Sequence, residues 1–286
     1  MKNCRTLGSW TLGSGLEISG AAVPNALLAP FEYSALFLYN VLLEKTIKNR
    51  IQALVATVVF LGLVAPAVYG QGKVSSPEDF FGFRMGSDRK IARWDKIVDY
   101  MRLVDRASDR MILQEPGKTT DGNPFLLAII SSPENLRNID RYRRINRKIF
   151  DPRTVASEAE ADRLAREGKV FVLVSCSIHA SEVGATQMSI EAVHRLATDD
   201  SPETRKILDN IVLLLVPCLN PDGQIMVTDW YYKTLGTPYE NSSMPWLYHR
   251  YTGHDNNRDA FMFTQVETRL LGKIMYDEWF PEVWLD

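Results

Sequence analysis

The sequence predicts an α/β fold in which a mixed, largely parallel sheet is flanked by helices. Two apolar runs, residues 170–174 and 211–216, have the length and β-branched content of buried strands. Helical patterns stand before and after both runs, and such alternation is typical of sheets with parallel strands. A third observation, two strand-like segments joined by a turn at residues 120–123, adds an antiparallel hairpin to this sheet.

The first elements are predicted between residues 76 and 131. Residues 76–79 combine a serine N-cap, a proline at the first helical position and two acids in the first turn, which predicts a helix start. Apolar residues at helical spacing then predict an amphipathic helix that runs to about Ala107 (Ile91, Trp94, Ile97, Val98, Met101, Val104). The hairpin strands are predicted over residues 110–119 and 124–131.

The remaining elements follow from charge and capping patterns. The charge-rich stretch 141–168 is typical of helices on the protein surface. Beyond it, the patterns predict helices at 185–197, after a Ser201-Pro202-Glu203 cap and at 264–276, and the start of a strand at 282–286.

Composition places the chain among soluble globular proteins, since 45% of its 286 residues are hydrophobic and 24% are charged. A net charge of -2 argues against a nucleic-acid-binding protein, which would carry a basic patch. Of the three cysteines, Cys176 and Cys218 lie in apolar runs and are predicted to be buried free thiols. A disulfide between these two is the alternative.

The first 71 residues contain a pattern that predicts a targeting segment and not an element of the folded domain. Residues 51–71 contain no charge and follow a basic flank that ends at Arg50, which is typical of a signal peptide cleaved after Ala67 or Gly70. An uncleaved membrane anchor is the alternative. We therefore predict an N-terminal extension at 1–44, a signal peptide or anchor at 45–70 and a folded domain at 71–286, in a secreted or periplasmic protein or a membrane-anchored one.

Three motifs indicate the chemistry. His179 and Glu182 follow the first buried strand, and imidazole nitrogen and carboxylate oxygen are ligands that zinc prefers. An Asn-Pro-Asp-Gly turn at residues 220–223 is predicted after the second strand. A polar loop, residues 253–259, contains the pair Asn257 and Arg258.

In order and spacing, these motifs resemble those of the M14 zinc carboxypeptidases, over roughly residues 75–286. The resemblance implies a Zn²⁺ cofactor bound by His179 and Glu182. It also implies that Asn257 and Arg258 grip the free α-carboxylate of a peptide substrate, a task that suits the planar fork of arginine. Asp286 matches the aspartate that stands two residues before the family's third zinc histidine.

The chain departs from the family pattern in several places. The family's carbonyl-polarising arginine has no counterpart, and Lys233 is the only cation in that stretch. Ala260 replaces a frequent aromatic residue, Asp222 is interpreted as a turn residue, and His249 and His254 are interpreted as loop residues rather than ligands. In the family, the third histidine, the general base and the specificity pocket lie beyond the position of Asp286. We therefore expect an incomplete domain with no catalytic base before residue 286, weak zinc binding and negligible turnover from residues 71–286 alone.

These observations predict a zinc-dependent metallocarboxypeptidase that hydrolyses C-terminal residues of peptides by a metal-activated water. Its predicted partner is a peptide or protein with a free C-terminus; no nucleic acid is expected, and a membrane only through the uncleaved N-terminal segment. Two alternatives stay open: a non-catalytic protein that binds peptide C-termini, and a zinc deacylase of the same fold, such as the aspartoacylase-like branch.

Overall fold

The computed structural model describes Lys48 and residues 74–247, 249 and 256–286. Contacts divide the chain into Met1–Val68 and Tyr69–Asp286, and the fold below is that of the second unit. Lys48 apart, the predicted extension at 1–44 and the predicted signal peptide or anchor at 45–70 lie outside the described residues. Within the described residues, no helix has both the length and the apolar content needed to span a membrane.

A five-stranded sheet organises the described residues, in the spatial order β1-β2-β4-β3-β5. Its strands are β1 (Met111–Lys118), β2 (Pro124–Ile130), β3 (Val170–Ser175), β4 (Ile211–Val216) and β5 (Val283–Leu285). β2 pairs antiparallel with β1 and with β4, whereas β3 runs parallel to β4 and to β5. The sheet is therefore mixed, as predicted, and its parallel part is β4-β3-β5.

Helices fill the connections between the strands. In chain order they are α1 (Pro77–Phe81), α2 (Trp94–Ala107), α3 (Pro133–Arg137), α4 (Ile139–Phe150), α5 (Glu158–Glu167), α6 (Val183–Thr198), α7 (Pro202–Asn210), α8 (Pro221–Thr234), α9 (Asn256–Asp259) and α10 (Val266–Lys273). A 3₁₀ turn lies at Pro152–Thr154, and a π-helix, Ile274–Trp279, continues α10.

Alternating side chains of β2 show how the sheet separates two cores. Leu126, Ala128 and Ile130 belong to one buried apolar cluster, which also contains the inward stripe of α2. The intervening residues Phe125, Leu127 and Ile129 belong to a second cluster together with apolar residues of α4 and α10. Because successive side chains of a strand point to opposite faces, helices cover the sheet on both sides. This layered arrangement confirms the predicted α/β class.

The N-terminus of α8 corrects the prediction of a turn at residues 220–223. Asn220 is the N-cap of α8, its Oδ1 accepts a hydrogen bond from Gly223 N at 2.9 Å, and Pro221 occupies the first helical position. An Asn-Pro-Asp sequence suits a turn and a helix start equally well, because the asparagine oxygen and the fixed proline φ serve both. Four residues separate the end of β4 from the start of this helix.

Asp222 holds the tip of the β1–β2 hairpin from this helix. It is largely buried, and its carboxylate accepts hydrogen bonds from Thr119 Oγ1 at 2.5 Å, Asp121 N at 2.8 Å and Asn123 Nδ2 at 2.8 Å. The turn itself closes through Gly122, whose φ of 85° lies in the left-handed region. Asp222 therefore has a structural role, as predicted, although it acts from a helix and not from within a turn.

Glu267 holds the same hairpin tip from α10. Its Oε1 accepts a hydrogen bond from Thr120 N at 2.7 Å, and His249 Nε2 lies 3.6 Å from its Oε2. Both Glu267 and His249 are buried. The turn is thus attached to two helices that follow it far along the chain.

Candidate active site

A buried serine sets the shape of the loop that leads from β3 to α6. Ser177 has a φ of 53°, a left-handed conformation that costs a residue other than glycine about 1–2 kcal/mol. Its Oγ donates to Glu182 O at 2.7 Å and accepts from Thr186 Oγ1 at 2.7 Å. These two bonds offset the backbone cost and hold the loop in a form that places Glu182 at the N-cap of α6.

The side chains of His179 and Glu182 converge within this loop. His179 Nδ1 lies 3.0 Å from Glu182 Oε1, and the backbone N–H of Glu182 donates to His179 O at 3.0 Å. The His179 side chain is 26% exposed and that of Glu182 is 59% exposed. Both groups are therefore open to solvent while their backbone is fixed by hydrogen bonds.

This arrangement fits two of the ligands of a zinc ion. Two donor atoms at about 2.0–2.1 Å from a tetrahedral zinc lie roughly 3.3 Å apart, and the Nδ1–Oε1 distance is 3.0 Å. Among the described residues, no group of three histidine, cysteine, aspartate or glutamate side chains forms a complete set of ligands. His179 and Glu182 thus have the chemistry and the spacing of two zinc ligands, and the described residues do not complete the set.

The short helix α9 brings a second motif to this pair. Asn256 is fully buried, and its Nδ2 donates to Leu219 O at 3.1 Å, next to the end of β4. Asn257 Nδ2 lies 3.2 Å from His179 Nε2, on the ring edge opposite Glu182. The exposed Arg258 follows Asn257 in the same helical turn. The segments that follow β3 and β4 therefore both contact α9.

Asp259 anchors the other end of α9. It is fully buried and accepts hydrogen bonds from Thr264 N at 2.9 Å and Gln265 N at 2.8 Å, and from the hydroxyls of Thr264 and Thr268. Burial alone would raise the pKa of this carboxyl, but these hydrogen bonds outweigh it and lower the pKa below its usual value. Asp259 is therefore held as a carboxylate.

The depressed pKa values of Asp259 and Glu267 predict a loss of stability in acid. Burial opposes ionisation of Glu267 as well, but contacts with His249 and Thr120 lower its pKa. A carboxyl whose folded pKa is depressed stabilises the fold above its unfolded pKa, about 3.9 for Asp and 4.3 for Glu, and this contribution is lost as the pH falls through the folded value. We expect the difference in free energy of unfolding between wild type and Asp259→Asn to shrink between about pH 5 and pH 2, measured by urea denaturation. A difference that is constant over this range would contradict the assignment.

Asp286 contacts the end of β3, beside the His179 loop. Ser175 Oγ donates to Asp286 Oδ1 at 2.7 Å and accepts from Trp284 Nε1 at 2.9 Å. Burial raises the pKa of the Asp286 carboxyl, and the charge of Glu182 raises it further, while Ser175 and His179 act in the opposite direction. Asp286 therefore lies within electrostatic reach of both candidate ligands.

Two other residues considered from the sequence, Lys233 and His249, contact side chains outside the His179–Glu182 pair. Lys233 stands near the C-terminal end of α8, roughly 18 Å along the helix axis from its first residue, and its Nζ lies 5.8 Å from the Trp230 ring centroid. His249 packs against Glu267, and His254 lies outside the described residues. The described residues thus offer no cation from the α8 segment to the His179–Glu182 pair.

Cys176 and Cys218 are free and buried, as predicted, and the alternative disulfide is not formed. Burial raises the pKa of both thiols to about 12, so they stay protonated at neutral pH. Both belong to the apolar cluster that contains α2.

Three residues that support the site were not recognised in the sequence: Ser177, Asn256 and Asp259. The left-handed conformation of Ser177 has no local signal. Asn256 and Asp259 flank the Asn257-Arg258 pair, and their short polar side chains at the ends of the motif were the available indication.

A model of the family described as zinc carboxypeptidase matches residues 97–276, which is more than half of the chain. A search of curated proteins finds no match.

Among solved structures, the chain is similar to the carboxypeptidase A of Helicoverpa armigera, with 15% identity and a TM-score of 0.41 over 67% of this chain and 44% of that one. It is also similar to thrombin activatable fibrinolysis inhibitor, with 9% identity and a TM-score of 0.42 over 73% and 47% of the two chains. For a metallo-carboxypeptidase from Burkholderia cenocepacia the identity is 20% and the TM-score 0.33, over 46% and 28%. The chain therefore spans less than half the length of each of these proteins.

Proposed function

The chain belongs to the zinc carboxypeptidase family, and on that premise we propose that the whole protein is a zinc-dependent metallocarboxypeptidase. It would remove C-terminal residues from peptides or proteins by a metal-activated water. The observation that carries this proposal is the convergence of the motifs: Glu182 and Asn257 lie 3.0 Å and 3.2 Å from the two ring nitrogens of His179.

In this proposal, His179 and Glu182 are the zinc ligands that the described residues supply. A zinc ion held there would supply a Lewis acid that polarises the scissile carbonyl and lowers the pKa of a bound water. The hydrogen bonds of Ser177 support this role, because they fix the backbone of the loop in which His179 Nδ1 and Glu182 Oε1 lie 3.0 Å apart. No general base is assigned among the described residues.

Arg258 and Asn257 are proposed to bind the substrate's free α-carboxylate. Arg258 is exposed, and it follows a residue that reaches His179, so its guanidinium is within side-chain range of a substrate at the metal. A guanidinium donates two parallel hydrogen bonds to a carboxylate, which favours a chain end over an internal peptide bond. The proposed substrate is therefore a peptide or protein with a free C-terminus.

The proposed location follows from the uncharged segment 51–71 and its basic flank. We propose a secreted or periplasmic protein, with membrane anchoring through residues 45–70 as the alternative. Mass spectrometry of the mature N-terminus distinguishes the two, since cleavage after Ala67 or Gly70 removes the segment.

The test of the function uses the whole protein, purified with zinc, and two versions of one peptide that differ only in a free or amidated C-terminus. Zinc-dependent release of the last residue from the free acid alone supports the proposal. Hydrolysis of N-acyl amino acids with no release from peptides would identify a deacylase. Binding of the free acid without zinc and without cleavage would identify a binding protein, and either of these results rejects the proposal.

Replacing Arg258 by lysine is expected to raise KM for a free-acid peptide about 10- to 100-fold, since one charge-assisted hydrogen bond of about 1.5–3 kcal/mol is lost. The exposed Arg269 on α10 provides the control, because Arg269→Lys should leave KM unchanged. Steady-state kinetics of both variants measure KM for the free-acid peptide. An unchanged KM for Arg258→Lys would place the carboxylate elsewhere.

A further inference from the structure

We propose that a cleft at the opposite end of β3 from the His179–Glu182 pair binds a peptide segment in which an aromatic residue stands between an acidic and a basic residue. The cleft has a volume of about 540 Å³, which falls within the range of ligand-binding clefts, roughly 300–1,000 Å³. One wall comes from the end of α4 and the 3₁₀ turn that follows it, and the other comes from the π-helix and Phe280.

Strand β3 separates this cleft from the candidate active site. Trp279, the last residue of the π-helix, packs against Phe171 with ring centroids 6.0 Å apart, and Phe171 lies at the amino end of β3. The cleft residue Phe280 follows Trp279 directly, whereas His179 follows the carboxyl end of the same strand. The six residues of β3 span roughly 16 Å at about 3.3 Å per residue. The cleft is therefore a separate site.

Hydrogen bonds and a stacked guanidinium fix the two walls of the cleft against each other. Asn146 of α4 is buried, and its Nδ2 donates to Trp279 O at 2.8 Å and to Phe280 O at 2.7 Å. The guanidinium carbon of Arg143, on the same helix, lies 4.3 Å from the centroid of the Trp279 ring. The cleft is thus held open by its own scaffold, and a ligand would bind without the cost of ordering the walls.

Aromatic rings form the apolar part of the cleft. Phe280 is buried, and its ring centroid lies 4.6 Å from that of Phe150. Phe150 itself is 55% exposed, and Tyr276 of the π-helix is 52% exposed. Aromatic side chains are enriched in binding surfaces because they bury a large area at a small loss of conformational entropy. Phe150 and Tyr276 therefore offer ring surface that an aromatic side chain of a ligand would cover.

Each wall also carries a charge that forms no ion pair among the described residues. Arg147 of α4 contacts the Phe280 ring, with 5.7 Å between its guanidinium carbon and the ring centroid, and Asp277 belongs to the π-helix. Asp151, in contrast, is occupied by Arg153, whose Nε and Nη2 donate to its two oxygens at 2.7 Å and 2.9 Å. A ligand with an acidic group for Arg147 and a basic group for Asp277 would complement both walls.

This combination of groups favours a peptide over an anionic lipid surface. Asp151 and Asp277 line the same cleft as Arg147, so a surface of uniform negative charge would be repelled by two of the charges that it meets. A peptide segment, by comparison, presents an acid, an aromatic ring and a base on successive residues. The occupant that matches both the rings and the two signs of charge is therefore a peptide.

The experiment measures binding of the dye-labelled peptide Gly-Glu-Trp-Lys-Gly, amidated at its C-terminus, to the whole protein by fluorescence anisotropy. The amide removes the free carboxylate that the candidate active site would recognise. Arg147→Gln and Phe150→Ala are each expected to weaken binding about 5- to 20-fold, because the first removes the cation and the second removes a ring. Arg144→Gln and Ile149→Ala are the matched controls, since both residues are exposed on α4 outside the cleft lining, and they should leave the affinity unchanged.

Two further measurements locate the ligand. The neutral peptide Gly-Gln-Trp-Gln-Gly amide should bind wild type about 5-fold more weakly than the charged peptide and should not respond to Arg147→Gln. His179→Ala should bind the charged peptide with wild-type affinity, because the cleft lies at the other end of β3.

Several results would overturn the inference: no binding to wild type, wild-type affinity in either cleft variant, equal affinity for the neutral peptide, or a loss on His179→Ala. A wild-type dimer that Phe150→Ala converts to a monomer would identify a second copy of the chain as the occupant and would also reject a peptide. None of these measurements depends on zinc or on hydrolysis, so the proposed function is tested separately.

Discussion

Replacing His179 by alanine is expected to weaken zinc binding by at least about 100-fold and to remove measurable peptidase activity. The loss should be this large because removing only a residue that hydrogen-bonds to a metal ligand already lowers metal affinity about 10- to 100-fold. The physical reason is that imidazole Nδ1 and the Glu182 carboxylate, 3.0 Å apart, are the two donors that the described residues bring together. Glu182→Gln should have a similar effect, since a neutral amide oxygen is a weaker ligand than a carboxylate. Chelator competition and zinc analysis of the dialysed protein measure the loss.

Helix α6 offers matched controls for both substitutions. His194 lies in the middle of the same helix whose N-cap is Glu182, and Glu191 is exposed one turn earlier. His194→Ala and Glu191→Gln should leave zinc content and turnover at the wild-type level. If His194→Ala loses zinc to the same degree as His179→Ala, the metal lies elsewhere and the assignment of the His179–Glu182 pair is wrong.

Replacing Asp259 by alanine is expected to lower the free energy of unfolding by roughly 3–5 kcal/mol. Asp259 is fully buried, and its removal leaves the backbone N–H groups of Thr264 and Gln265 without their acceptor inside the protein. Each unsatisfied buried donor costs about 1–3 kcal/mol, and the hydroxyls of Thr264 and Thr268 lose a partner as well. Urea denaturation followed by fluorescence gives the value.

The control for Asp259 is an exposed aspartate of the following π-helix. Asp277→Ala should change the free energy of unfolding by no more than about 0.5 kcal/mol, because it removes no buried hydrogen bond. A loss at Asp259→Ala as small as that at Asp277→Ala would show that α9 is not anchored through this carboxylate.

Local periodicity in the sequence was sufficient to predict the main elements. Strand β2 and the helical stripe of α2 were predicted, whereas the start of α8 was predicted only as a turn. The helix predicted from Ile91 begins at Trp94, and the sheet has as many antiparallel as parallel pairings among its described strands. Such patterns depend on neighbours within a few residues, and burial on the sheet faces reinforces them.

Interactions between distant residues were not accessible in the same way. The contact between Asn257 and His179 joins residues 78 positions apart, and the bond from Thr119 to Asp222 joins residues 103 positions apart. Neither pair has a spacing that a helix or a hairpin would impose. The family resemblance placed His179 and Asn257 in one site, but it assigned Asn257 to the substrate alone and gave no reason for a contact with the ring.

The attachment of the hairpin tip to α8 and α10 has a consequence for the order of folding. Strands β1 and β2 are adjacent in sequence, and a hairpin of this kind closes within about 1–10 μs. The backbone N–H groups at its turn, however, find their acceptors 101 and 147 residues later, in Asp222 and Glu267. At a synthesis rate of about 5–20 residues per second, the last acceptor is made roughly 7–30 s after the turn. A hairpin that is local in sequence is therefore completed late on the ribosome, and until then its turn remains bonded to water.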